Sequence, residues 1–233
     1  MLERPGLRAA RAPHCPDREV ANGVVYEDPD VLRESLPELR DWFAEHGCAW
    51  VVWAQPGDYG VARACEEFGN TLYATCEAMG LELDGMPDPV NDGLDWAGGQ
   101  DSSILGPVND VAYGFGDGSM IRAIGAPPPG TFETYSARHE GVDDAAVLGL
   151  YERRGNAQVV WVATRPEAAG HRLAGRLLGH ALAEARGRGC ETATLEATEQ
   201  GHPAYAAAGF RPLGQVQMWV HGADQLVGAG RPS

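Results

Sequence analysis

The chain has 233 residues, with 18 Lys+Arg against 33 Asp+Glu and a formal net charge of −15. It is long enough for one large domain or two small lobes, and its acidity argues against a nucleic-acid ligand, whose backbone is gripped by basic patches. A cationic small molecule suits such a surface, although acidity also serves solubility alone. The cysteines Cys15, Cys48, Cys65, Cys76 and Cys190 are odd in number and contain no CxxC pair, so neither a disulfide framework nor a metal site is indicated. No apolar run approaches bilayer length, and no apolar core follows Arg8 and Arg11 as in a signal peptide. A soluble protein of the cytoplasm, with neither membrane nor nucleic acid as partner, is expected.

From Val31 the pattern predicts a helix that restarts near Pro37, capped by Ser35, with Leu36, Leu39 and Phe43 at helical spacing until Gly47. The apolar run Ala49–Ala54 reads as a strand, Tyr59–Phe68 as a second helix stopped by Gly69-Asn70, and Thr71–Leu83 as extended structure interrupted at Gly80. Pro, Gly, Asn and Asp collect in 86–101 and mark a connection, so the expected division is a lobe over 1–85, a linker over 86–101 and a second domain over 102–233. Tyr113–Gly118 resembles a glycine-rich phosphate loop but follows no strand, and reads as a turn before Ser119–Ile124. After Pro127-Pro128-Pro129-Gly130, strands are predicted at Thr131–Arg138, Ala145–Glu152 and Gln158–Ala163. Hairpin turns at Gly141-Val142-Asp143 and Arg154-Gly155-Asn156 join them.

Chemistry concentrates in 158–210. Val159–Val162 is a buried-strand run, and the loop from Thr164 opens a helix whose Leu173, Leu177, Leu178, Ala181, Leu182 and Ala185 share one face until Gly187 and Gly189. Thr192–Ala197 follows as a strand. Pro203 then starts a short helix that Gly209 ends, and Phe210 turns back to the core. A strand that runs into a small-residue loop at a helix N-terminus can hold an anion, since the first N–H groups lack helix partners and the dipole adds positive charge. Ala168, Ala169 and Gly170 are small there, and His171 and Arg172 offer donors. An ordinary βα connection with solvated charges fits this segment equally well.

Val162–Ala174 resembles the cofactor motif of the GNAT (N-acetyltransferase) superfamily, a Val-rich strand, often Pro-Glu, then Arg/Gln-x-x-Gly-x-Gly/Ala. Leu195-Glu196-Ala197-Thr198-Glu199 and then Ala204–Phe210 resemble the second family motif, in which a Tyr stands four residues before Gly-Phe. The first motif departs at Ala169, where Arg or Gln is usual, and at Arg172, where a Gly is usual. An Arg with positive φ would cost about 1 kcal/mol. The expectation is either a different loop path, with Gly170 supplying the freedom and Arg172 a side-chain contact, or weakened coenzyme binding. The first lobe resembles half of such a fold, as in tandem members whose N-terminal unit has lost the cofactor loop.

The resemblance implies an α+β GNAT fold, a mixed and mostly antiparallel central sheet flanked by helices, in two lobes. It implies an acyl-CoA-dependent N-acyltransferase that moves an acetyl or other short acyl group from acetyl-CoA to a small-molecule amine, without a metal. The strand backbone at Val162, Ala163 and Thr164 would hold the pantetheine arm, and Gly170, His171, Arg172, Leu173, Ala174 and Gly175 the pyrophosphate. Tyr205 is placed to protonate the departing thiolate, against packing as its plain alternative. Glu196 is the choice for general base, with Glu140, Glu152, Glu199 and His202 competing. A GNAT scaffold that binds without catalysis, an unrelated α+β ligand-binding protein and a homodimeric assembly stay open.

Overall fold

The first long helix begins where a carboxylate can hold it. Asp28 accepts from the amides of Asp30 (2.9 Å) and Val31 (3.4 Å), and Pro29 fills the first helical position, where its missing N–H costs nothing. From there α1 (Pro29–Ala44) runs unbroken through Pro37. This corrects the predicted restart. Leu32, Leu36, Leu39 and Phe43 form one buried stripe, and packing along it outweighs the bond that Pro37 removes, worth about 3 kcal/mol.

A computed structural model describes residues 1–89, 93–125, 127, 128 and 130–225, so Val90, Asn91 and Asp92 of the predicted linker, Pro129 and the last eight positions lie outside the described residues. Before α1 come β1 (Leu2–Arg4), β2 (Leu7–Ala9) and β3 (Gly23–Tyr26). After it come β4 (Trp50–Ala54), α2 (Tyr59–Glu67) and β5 (Thr71–Glu82), a single strand through Gly80 where an interruption was predicted. The second half holds β6 (Asp95–Ala97), α3 (Leu105–Ala112), α4 (Ser119–Ile124), β7 (Glu133–His139), β8 (Val142–Arg153), β9 (Asn156–Thr164), α5 (Leu173–Gly187), β10 (Thr192–Ala197), α6 (His202–Ala207) and β11 (Arg211–His221). Strands β8 and β9 are longer than predicted, and α3 was not predicted at all.

Packing divides the chain into two units. One comprises Met1–Ala78, Thr198–Gln200 and the segment from Leu213 on, the other Met79–Ala197 and Gly201–Pro212. In the first, β1, β2 and β3 pair antiparallel, β3 and β4 parallel, and β4 and β11 antiparallel. Its core, with Leu32, Leu39, Phe43, Trp50, Val52 and Cys65, lies between that sheet and the two helices. In the second, β6, β7, β8 and β9 form an antiparallel meander and β10 joins β9 in parallel. The α5 stripe of Leu173, Leu177, Leu178, Ala181, Leu182 and Ala185 seals one face of that sheet, and α3 with α4 packs Leu105, Val108, Met120 and Ile124 on Val147 and Ala163. The fold is α+β with a mixed, mostly antiparallel sheet, as expected. All five cysteines are free thiols. No helix among the described residues is long and apolar enough to cross a membrane.

Candidate active site

Strand β9 is bent where the chemistry was expected. Val147 faces Ala163 and Gly149 faces Val160, so Trp161 and Val162 together oppose the single residue Leu148. Trp161 takes φ 55 to make this bulge. A left-handed tryptophan costs about 1 kcal/mol or more, and its surroundings hold it there. Asn109, fully buried on α3, donates through Nδ2 to the Trp161 carbonyl (3.1 Å) as well as to Leu105 O (2.9 Å).

Beyond the bulge, β9 has a free side. The parallel ladder to β10 runs from Asn156↔Thr192 to Gln158↔Thr194 and stops, although β9 continues to Thr164 and β10 to Ala197. Parallel strands that part in this way leave backbone N–H and C=O groups on the inner edge without a ladder partner. Val162, Ala163 and Thr164 all lie on this stretch.

After β9 a short 3-10 turn, Pro166–Ala168, leads through Ala169 and Gly170 (φ 87) to Arg172, at φ 55 and ψ 25. Arg172 itself adopts the left-handed conformation that the family motif reserves for glycine. Gly170 supplies freedom as expected, and the turn places further strain on an exposed arginine, Arg172. No side chain caps α5, and its first intrahelical bond is Arg176 N to Arg172 O (3.1 Å). The amides of Leu173, Ala174 and Gly175 therefore stand at the helix end with its positive dipole. A Cβ at Gly170 or Gly175 would meet nothing within 4 Å, so the loop is open around these amides. His171 lies against His139, their ring centroids 4.2 Å apart and their planes tilted by 44°. The residues present thus fit a diphosphate bound through backbone amides, with Arg172 as the adjacent cation.

Tyr205 sits on α6, partly buried against the core and edge-on to Phe210 (6.1 Å between centroids). Burial, and after it Tyr113, hold its phenol well above the ordinary tyrosine range. Glu196 on β10 reaches solvent and accepts from Gln158 Nε2 at 3.3 and 3.4 Å, just past the last parallel pair. The protein around it raises its carboxyl pKa, and the Gln158 hydrogen bond opposes that rise. Among the competitors, Glu152 is tied to Arg188, and Glu140 lies by His139 at a hairpin turn. Two residues of this site escaped the sequence reading, Asn109 and Tyr113, four apart on the unpredicted α3. Tyr113 donates its hydroxyl to the Val162 carbonyl at 3.2 Å. Among the described residues no cluster of His, Cys, Asp and Glu could hold a metal ion.

Residues 111–210 match the model of the acetyltransferase (GNAT) family. No curated protein matches the sequence. Among solved structures, a GCN5-related N-acetyltransferase from Kribbella flavida is similar at TM-score 0.68 and 17% identity, over 93% of this chain and 90% of that one. One from Sphaerobacter thermophilus gives 0.62 and 16%, over 92% and 75%. A tandem GNAT protein from the clavulanic acid biosynthesis pathway gives 0.56 and 18%, over 86% and 74%. The fold is that of the GNAT superfamily, and the segment that carries the bulge, the uncapped helix and Tyr205 is the one that matches the family's model.

Proposed function

We propose that the protein is a cytoplasmic acyl-CoA-dependent N-acyltransferase that moves an acetyl or other short acyl group to the amine of a small molecule. The observation that carries this reading is the bulged strand β9, whose inner edge lacks a ladder partner and which leads straight to an uncapped helix N-terminus. Val162, Ala163 and Thr164 would hold the pantetheine arm as an added strand, and the amides from Gly170 to Gly175 the pyrophosphate. Bound there, acetyl-CoA supplies the activated acyl group.

The chain's own task is then proximity and proton traffic. A raised pKa keeps Tyr205 protonated at neutral pH, the state in which a phenol can give a proton to a departing thiolate. A raised pKa makes Glu196 a stronger base than an ordinary carboxylate, and Gln158 orients it. The acidic surface would favour a cationic acceptor. A degenerate scaffold that binds a ligand or partner without acyl transfer is the second reading, favoured by Ala169 in place of a cationic or amide side chain and by Arg172 in place of glycine. Acetyl-CoA at millimolar concentration should raise the melting temperature, because it binds only the folded protein, and thiol release with a panel of amines should exceed hydrolysis. No shift at that concentration would overturn the acyltransferase and favour the scaffold.

A further inference from the structure

Tyr113 belongs to the site but takes no part in the proton traffic described above. The residue is 53% exposed, and its hydroxyl reaches one particular backbone group, the Val162 carbonyl. That carbonyl lies in the bulge, on the stretch of β9 past the last parallel pair. Four residues earlier on the same helix, Asn109 holds the neighbouring carbonyl, Trp161 O. Asn109 on α3 and Tyr113 at its C-terminal cap thus serve two consecutive carbonyls of the bulge, one through a fully buried amide and the other through an exposed phenol.

The backbone after Tyr113 supports a separate role for it. Gly114, Gly116 and Gly118 take φ values of 71, 63 and 71, so the chain leaves α3 at once by left-handed steps that glycine alone makes without strain. The Tyr113 phenol also disfavours ionisation of Tyr205, after the larger effect of burial.

We propose that Tyr113 is a positioning residue of the acyl-donor site, whose hydroxyl competes with the amide of an incoming pantetheine arm for the Val162 carbonyl. The proposal rests on the acyltransferase reading above. An arm that adds to β9 as a strand bonds through its amides to the carbonyls of that edge, and each carbonyl already in use must be vacated or shared. A donor with an amide N–H at the right distance can replace the phenol's bond, and a short thioester without one cannot. The contact therefore lowers affinity for donors that carry the arm and leaves a donor without such an amide unaffected.

Tyr113→Phe removes only the oxygen. Its coenzyme A dissociation constant, measured by calorimetry, should fall about threefold to tenfold, the worth of one exchanged hydrogen bond. Association in stopped-flow should quicken, and the melting temperature without ligand should stay near that of the wild type. A purely structural bond predicts the reverse, a lower melting temperature and an unchanged dissociation constant. The carbonyl ¹³C resonance of Val162 reports the contact directly, and it should move on Tyr113→Phe without coenzyme and on coenzyme addition to the wild type. Equal dissociation constants would mean that the carbonyl accepts both donors and would overturn the competition. A Val162 resonance unmoved by the substitution overturns the contact itself. If that resonance moves on substitution but neither protein binds coenzyme A, the acyltransferase reading falls and the competition falls with it.

Discussion

The two halves of the chain contain the same run of elements, β3-α1-β4-α2-β5 in one and β9-α5-β10-α6-β11 in the other. In each the first two strands pair in parallel, Gly23↔Val51 and Val24↔Val52 against Asn156↔Thr192 through Gln158↔Thr194. The short helices end alike. Gly69 (φ 94) bonds to Glu66 O and Asn70 to Cys65 O, while Gly209 (φ 97) bonds to Ala206 O and Phe210 to Tyr205 O, the paired bonds of a Schellman cap. The difference lies at the N-terminus of the first helix. In α1, Asp28 puts its own carboxylate on the free amides and Pro29 removes another N–H. In α5, the cap position holds a left-handed arginine with no side-chain bond to the helix. One end is closed by an anion that the protein carries, and the other has no side-chain cap. At the second position Cys65 stands where Tyr205 stands, fully buried, its thiol pushed up to about 12 by burial and then by Asp58. We propose on these grounds that the first unit is a GNAT-like lobe without a coenzyme seat.

The largest expected effect tests the phenol that the first unit lacks. Tyr205→Phe keeps the ring and its contact with Phe210, so coenzyme affinity and melting temperature should hold while kcat falls about 100-fold or more, the usual worth of a general acid. Unchanged turnover would return Tyr205 to packing. A smaller effect is expected from Arg172→Asp, which copies onto α5 the charge that closes α1. Asp tolerates the left-handed backbone better than Arg does, so folding should be spared, while coenzyme A affinity in calorimetry should drop about thirtyfold as one charge-assisted bond is replaced by repulsion. If affinity is unaffected, the α5 end is not the pyrophosphate seat, and the contrast between the helices has no bearing on ligand binding.

These contrasts were legible in the sequence to different depths. The strand, loop and helix from Val159 to Ala185 could be read because each boundary carries its own signal, and β10 appears at the predicted Thr192–Ala197. The bulge could not be read, since Val159-Val160-Trp161-Val162 looks like any buried strand and the left-handed turn falls on a tryptophan. Its cause sits on α3, which Gly106 and Pro107 disguise as a loop. Pro107 falls in the first turn, where it is tolerated, and a Cβ on Gly106 would come within 2.6 Å of the Ile121 Cα, so glycine is there for the close approach of α4. Asn109 and Tyr113 were lost with that helix. In the first unit, Ser35 was taken for a cap and is a buried residue mid-helix, because the signal that matters, Asp28-Pro29, stands before the apolar periodicity begins.

The smallest effect sharpens the comparison from the closed side. Asp28→Ala removes the only side chain that caps α1 and leaves the Asp30 and Val31 amides to water. Lost N-caps cost about 1 kcal/mol, which in a chain of this size lowers the melting temperature by about 2–4 °C. Pro29 sets the helix start from the other side, and the buried stripe of Leu32, Leu36, Leu39 and Phe43 stays in place, so the helix itself should survive in circular dichroism. If the cap only closes α1, coenzyme affinity should match the wild type, because opening an end does not build a seat. The connection from β3 to α1 is just Glu27 and Asp28, and it lacks the turn through Ala169, Gly170 and Arg172 that exposes the α5 amides. A second coenzyme equivalent bound by Asp28→Ala in calorimetry would show the opposite, that the two helix ends differ by one carboxylate alone.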